Sequence, residues 1–195
     1  MYKRFGKRAL DIILSAAGLI AASPFMLIIA LCVAIDTRSN PIFTQKRFGQ
    51  NRKMIPLYKF KSMRNDAPHD MPTDQLADPK KYITRTGHFL RRTSLDELPQ
   101  LFNILMGHMS VVGPRPALWN QYHLMDLRDE AGATPLRPGL TGWAQINGRD
   151  MLNDEEKAAY DGEYARKLSF KMDCRCFFGT FLKVLAQDGM KEERK

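Results

Sequence analysis

The chain has 195 residues, a formal net charge of +9 and 44% hydrophobic residues. That length holds one modest soluble body beside a membrane segment and excludes a second large domain. Cys32, Cys174 and Cys176 form no CxxC pair, and His69, His88, His108 and His123 lie far apart, so zinc-module and disulfide-scaffold readings fall away.

The charge is uneven. Residues 1–65 carry twelve Lys and Arg against two Asp, and the remainder is nearly balanced. The excess flanks an apolar run from Ala9 to Ile35, interrupted by Asp11 and by Ser23-Pro24. At about 1.5 Å per residue the run is long enough to cross a hydrocarbon core of roughly 30 Å. Lys3, Arg4, Lys7 and Arg8 precede it, and Arg38, Lys46, Arg47, Arg52 and Lys53 follow, so both flanks favour the cytoplasmic side. A helix broken at Pro24 enters one leaflet and returns to the same face, with the Ser23 hydroxyl available to a freed carbonyl. The simpler alternative is a straight signal anchor with a tolerated proline. A cleaved signal peptide fits poorly, because the run is too long.

Next in the chain, Ile42-Phe43 and Leu57-Tyr58-Phe60 predict two strands of a hairpin joined through Gly49-Gln50-Asn51. Residues 66–80, rich in Pro and Asp, predict an exposed loop. From Ser94 to Met106, Leu95, Leu98, Leu101, Phe102 and Leu105 recur at helical spacing before Gly107. Ser94 and Glu97 at its start have the spacing of a capping box, and Asp96 suits the first turn electrostatically. Arg91 and Arg92 immediately precede these two adjacent carboxylates.

The stretch 111–149 is rich in Gly and Pro and predicts turns and close backbone approach. Within it, Pro114-Arg115-Pro116 holds an arginine between two prolines, a presentation suited to phosphate or to a plain surface turn. Arg137 to Arg149 adds small residues, further arginines and Trp143, which serves equally to stack on a base or to fill a core. Helix resumes near Asn153. A last helix over residues 169–186 interleaves Phe177, Phe178, Phe181, Leu182 and Leu185 with Lys171, Arg175 and Lys183, as interfacial and core-packed helices both do.

Seven ordered blocks carry a resemblance: Lys7-Arg8 with Asp11, Ser23-Pro24, Ile42 to Gln45, Tyr58 to Met63, Ser94 to Asn103, Met109 to Pro116, and Arg137 to Trp143. Over nearly its whole length the chain resembles the bacterial sugar transferases, specifically small monotopic polyprenyl-phosphate phosphoglycosyl transferases. The resemblance implies a mainly helical α+β fold with a reentrant membrane helix (residues 1–36) broken at Ser23 and Pro24, a short hairpin and amphipathic interfacial helices. Residues 37–195 would form the catalytic domain on the cytoplasmic face of the bacterial inner membrane.

The implied reaction moves a sugar 1-phosphate from a nucleotide diphosphate sugar, usually a UDP-sugar, to undecaprenyl phosphate, with Mg2+ and release of UMP. Asp96 would be nucleophile and metal ligand, and Glu97 its dyad partner. Arg91, Arg115 and Lys59 would bind phosphate. Without a preceding multi-span region, a minimal catalytic unit is expected, with donor choice in residues 66–82 and 117–136. The competing classes are a non-catalytic membrane scaffold, which has no need of Asp96, Glu97 and Arg115 together, and a basic nucleic-acid-binding domain, for which no helix-turn-helix, RNA-binding or zinc signature is present.

Overall fold

The computed structural model describes residues 2–68, 78–148 and 151–185. Most of the predicted loop at 66–80, His69 among it, and Arg149 and Ala186 lie outside the described residues. A π-helical turn over Tyr2–Gly6 leads into α1, Lys7–Thr37. The hairpin follows as β1, Ile42–Phe48, and β2, Met54–Phe60, paired antiparallel from Ile42 opposite Phe60 to Phe48 opposite Met54. Its loop turns at Gln50–Arg52, where Asn51 and Arg52 adopt positive φ.

Helix α1 is long and apolar enough to cross a bilayer by length and composition. It runs from Lys7 to Thr37 without the interruption expected at Ser23-Pro24. The local chemistry explains the continuity. Pro24 has no N–H for the Ile20 carbonyl one turn back, and the Ser23 hydroxyl donates to that carbonyl at 2.9 Å. The acceptor is satisfied within the helix, so the helical path survives the proline.

At about 1.5 Å per residue α1 is roughly 46 Å long, yet both ends pack on the same body. Near its start, Arg8 donates to the carbonyls of Ile104 and Leu105, and Asp11 accepts from Ser110 Oγ and Val111 N. Near its end, fully buried Val33 joins Phe60 and Leu90 in one apolar cluster, and Asn65 Nδ2 donates to the Thr37 carbonyl. The outward face presents Ile12, Ile13, Ile20, Phe25, Leu27, Ile28, Leu31 and Ile35, all exposed.

The predicted helix over 94–106 divides in two. Helix α2, Arg85–Thr93, ends where Ser94 enters the left-handed region at φ 56°, and Leu95–Glu97 forms a 3-10 turn. The capping box is therefore absent: Ser94 is the C-cap of α2, and its side chain caps nothing. After Pro99, α3 spans Gln100–Leu105 and stops at Gly107, whose φ of 84° suits glycine. Buried Asn103 braces α3 to β2, accepting from Tyr58 N and donating to the Pro56 carbonyl.

The Gly- and Pro-rich stretch holds more order than turns. Strand β3, Ser110–Val112, pairs in parallel with β4, Gly139–Thr141. A Cβ on Gly139 would lie 2.1 Å from Gly113 N, so these glycines admit neighbouring backbone rather than a phosphate. Helix α4, Tyr122–Glu130, joins α6, Asp154–Lys167, through a buried ion pair between Arg128 and Asp161. Asn153 and Glu156 cap α6 reciprocally. The short α5, Trp143–Asn147, and α7, Phe170–Leu185, close the main core around Ile104, Met109, Val112, Trp143, Tyr164 and Cys176. Trp143 takes the core role among its two readings: its indole donates to Glu163 and its ring carries the Arg175 guanidinium 4.8 Å away.

Candidate active site

The 3-10 turn positions the acidic pair. Leu95 and Leu98 pack against the Val33, Phe60 and Leu90 cluster, which leaves the intervening Asp96 and Glu97 beside Lys59 of β2. Lys59 Nζ lies 2.7 Å from Glu97 Oε1 and 3.8 Å from Asp96 Oδ2. Arg115 Nη2 reaches the same Glu97 oxygen at 3.2 Å. Arg91, in the last turn of α2, is close enough to act on the Asp96 charge, and its Nη1 is 3.5 Å from Ser62 Oγ. All five residues singled out for catalysis or phosphate binding thus share one site.

The two carboxylates differ. Glu97 pairs closely with Lys59 and Arg115, whereas Asp96 makes a longer ion pair, 3.8 Å, with the same Lys59. Asp96 is 8% exposed, and burial pushes its carboxyl above the ordinary range; Lys59 pulls it back, Glu97 raises it further, and Arg91 and Arg115 oppose. A desolvated carboxylate held only by a long ion pair is a stronger nucleophile and a better ligand than one tied into a short salt bridge.

Sequence reasoning passed over Arg47. Its Nε and Nη2 both donate to Gln45 Oε1, at 3.0 and 2.6 Å, and its Nη1 donates to the Pro116 carbonyl at 3.0 Å. Burial, then the like charge of Arg115, bring its guanidinium down to about 9, with Glu97 opposing, so it stays cationic at neutral pH. Arg47 ties β1 to the Pro-Arg-Pro loop. Gly139 N secures the other side of that loop by donating to the Pro114 carbonyl at 2.8 Å. The available signal was its place in β1 two residues from Gln45, on the same strand face, but only the fold brings Pro116 to it.

Four cations, Arg47, Lys59, Arg91 and Arg115, therefore surround two carboxylates. The excess suits a diphosphate or phosphosugar. No group of three or more His, Cys, Asp or Glu side chains poised for a metal occurs among the described residues. The donor set instead fits Mg2+ held as it commonly is, by one or two carboxylates with substrate phosphate and water completing its shell.

An acidic pair on a tight turn, ringed by cations beside a long apolar helix, is an arrangement suited to handling phosphoryl groups at an apolar surface. A family model described as bacterial sugar transferase matches residues 2–187, and the chain belongs to that family. It is 39% identical over 199 residues to the exopolysaccharide production protein PSS of Rhizobium leguminosarum bv. phaseoli, covering 93% of this chain and 96% of the relative. Over 190 residues it is 41% identical to the UDP-glucose:undecaprenyl-phosphate glucose-1-phosphate transferase of Escherichia coli (strain K12), covering 92% of this chain and 40% of the relative. The undecaprenyl-phosphate galactose phosphotransferase of Salmonella typhimurium is 35% identical over 211 residues, 95% of this chain and 42% of that protein. The chain thus spans nearly all of the first relative and about two-fifths of the other two.

Proposed function

We propose that this protein transfers a sugar 1-phosphate from a UDP-sugar to undecaprenyl phosphate by way of a phosphosugar on Asp96. The observation that carries the reading is the unequal pair: Glu97 tied closely to Lys59 and Arg115, and Asp96 buried, adjacent and held only by a longer ion pair to the same Lys59. An Asp96 carboxylate oxygen attacks the sugar-bearing phosphorus; an O–P bond forms, the phosphoanhydride bond breaks, and UMP leaves with the electron pair. A phosphate oxygen of the polyprenyl acceptor then attacks the same phosphorus, giving the polyprenyl diphosphosugar and restoring the carboxylate. Arg91, Arg115 and Lys59 hold the phosphoryl oxygens and balance the charge that gathers on them. Glu97 fixes Lys59 and Arg115 in place. Asp96, with Glu97 adjacent, would hold Mg2+, which supplies Lewis-acid stabilisation of phosphoryl charge when bound.

Relatives named for UDP-glucose and for galactose point to a hexose donor, and UDP-glucose is the first to test. The membrane geometry is read as monotopic, with the body on the cytoplasmic face. Packing of both ends of α1 on one body supports it, because a single crossing would carry one end roughly 30 Å away from that body.

Purified protein given Mg2+, undecaprenyl phosphate and UDP-sugars should release UMP with one or a few donors. Asp96→Asn should lower that release by at least about a thousandfold, because a carboxamide is not a nucleophile for this step. Unchanged release in the variant would remove Asp96 as nucleophile.

A further inference from the structure

A second basic concavity lies at the start of α1 and shares no lining residue with the acidic pair. Lys3, Lys7, Arg8 and Arg137 surround it, with Asp11, Tyr164 and residues of β3 and of the 131–138 loop completing the wall. Its charges are unequally satisfied. Lys7 is consumed by Asp173 at 2.6 Å, and Asp173 is held in turn by the Tyr2 and Tyr164 hydroxyls. Arg8 spends both terminal nitrogens on carbonyls at the end of α3. Asp11, the one acid in the lining, is occupied by Ser110 and Val111. Arg137 has a buried Nε without a hydrogen-bond partner and sits near enough to Arg8 for the two like charges to repel.

With Lys7 neutralised by Asp173, Lys3, Arg8 and Arg137 outweigh Asp11 by two positive charges. A buried guanidinium N–H left without an acceptor is costly, and an anion relieves both the missing bond and the repulsion. The cavity of about 150 Å³ is half the floor of roughly 300 Å³ for ordinary small-molecule sites, so it excludes a nucleotide sugar and admits a compact headgroup. Phe5 is 72% exposed two residues from Lys3, and Phe170, 56% exposed, packs edge-on against Tyr2. Exposed aromatic rings beside basic side chains are the arrangement that seats protein at the level of lipid phosphates.

We propose that this cavity binds a phosphate group, separately from the acidic pair, through Arg137 and Lys3, with the positive charge of Arg8 beside them. Occupied by a phospholipid phosphate, it would tether the entry of α1 at headgroup depth. The site requires no chemistry at Asp96, so a failed transferase assay leaves it standing and its own failure leaves the transferase reading intact.

The test measures the thermal unfolding midpoint and direct binding by native mass spectrometry for full-length detergent-solubilised protein. The probes are short-chain phosphatidylglycerol, phosphatidylcholine and inorganic phosphate. Wild type should bind phosphatidylglycerol and unfold later in its presence. Arg137→Gln should bind roughly tenfold more weakly, the loss of one charge-assisted contact, while Lys53→Gln, a change at an exposed lysine outside the cavity, should behave as wild type. If Arg137→Gln does not fold, Lys3→Gln carries the same comparison at an exposed position. An equal response to inorganic phosphate assigns the site to free phosphate; a response to phosphatidylglycerol alone assigns it to a lipid headgroup. Equal binding by the cavity variant and wild type, or no binding of either anion, overturns the proposal.

Discussion

Asp96 and Glu97 are neighbours in sequence with opposite electrostatic fates. Glu97 forms ion pairs with Lys59 and Arg115, and Asp96 is shielded from water without a comparable bond. Since burial raises the Asp96 carboxyl, the folded protein binds its proton more tightly than the unfolded chain does. Stability contributed by that protonated form is present at low pH and is lost as pH rises from the ordinary aspartate range, about 3.9, through the raised value. Asp96→Asn removes this loss. The expected outcome is a variant that is inactive yet unfolds at a higher temperature than wild type near neutral pH without Mg2+, the gap closing as the buffer is acidified. Paired thermal melts across pH check it, and a variant less stable than wild type at pH 7 would contradict the assignment of a strained, desolvated carboxylate.

At the scale of elements, the hairpin is an active part of the site. Strand β2 delivers Lys59 to the acidic pair, and β1 delivers Arg47, whose guanidinium joins Gln45 to the Pro116 carbonyl. Arg47→Lys keeps the charge but cannot make the forked contact to both acceptors at once. UMP release should fall roughly tenfold in kcat/KM, the scale of one charged hydrogen bond. Steady-state kinetics beside an unfolding curve would separate a displaced Arg115 from a general loss of stability. The hairpin itself was legible in the strand-forming residues Ile42-Phe43 and Leu57-Tyr58-Phe60 and in the Gly49 turn. The parallel pair of β3 and β4 was not, because three-residue strands buried by glycine-mediated backbone contact leave no alternating pattern to read. The capping box at Ser94 and Glu97 failed for a related reason. Packing of Leu95 and Leu98 into the Val33 cluster and the proline at 99 favour a 3-10 turn, and the Glu97 side chain forms ion pairs with Lys59 and Arg115.

For the whole molecule, α1 sets how the proposed site would meet a lipid acceptor. Its apolar outer face is continuous with exposed Phe178 and Leu182 of α7 only in composition, but both surfaces require an apolar environment. Single cysteines placed at Lys3 and Ser39, in a chain whose own cysteines have been replaced, should both react with an impermeant thiol reagent from the cytoplasmic side of inverted vesicles. Labelling from opposite sides would establish a single crossing and remove the monotopic reading.

The sequence by itself determined the chemical inventory. The apolar run with its basic flanks, the Asp96-Glu97 pair, Arg91, Lys59 and the Pro-flanked Arg115 are local patterns, and local patterns survive in a string of letters. Tertiary structure alone decided which of these groups pair, because an ion pair between Lys59 and Glu97 joins residues 38 apart and the bond from Arg47 to Pro116 joins residues 69 apart. It also decided that Asp96 is the carboxylate with the looser ion pair, that Pro24 leaves α1 continuous, and that Arg137 and Arg8 line one cavity. Charge and hydrophobicity are carried by single residues, but desolvation and pairing are properties of the space between them.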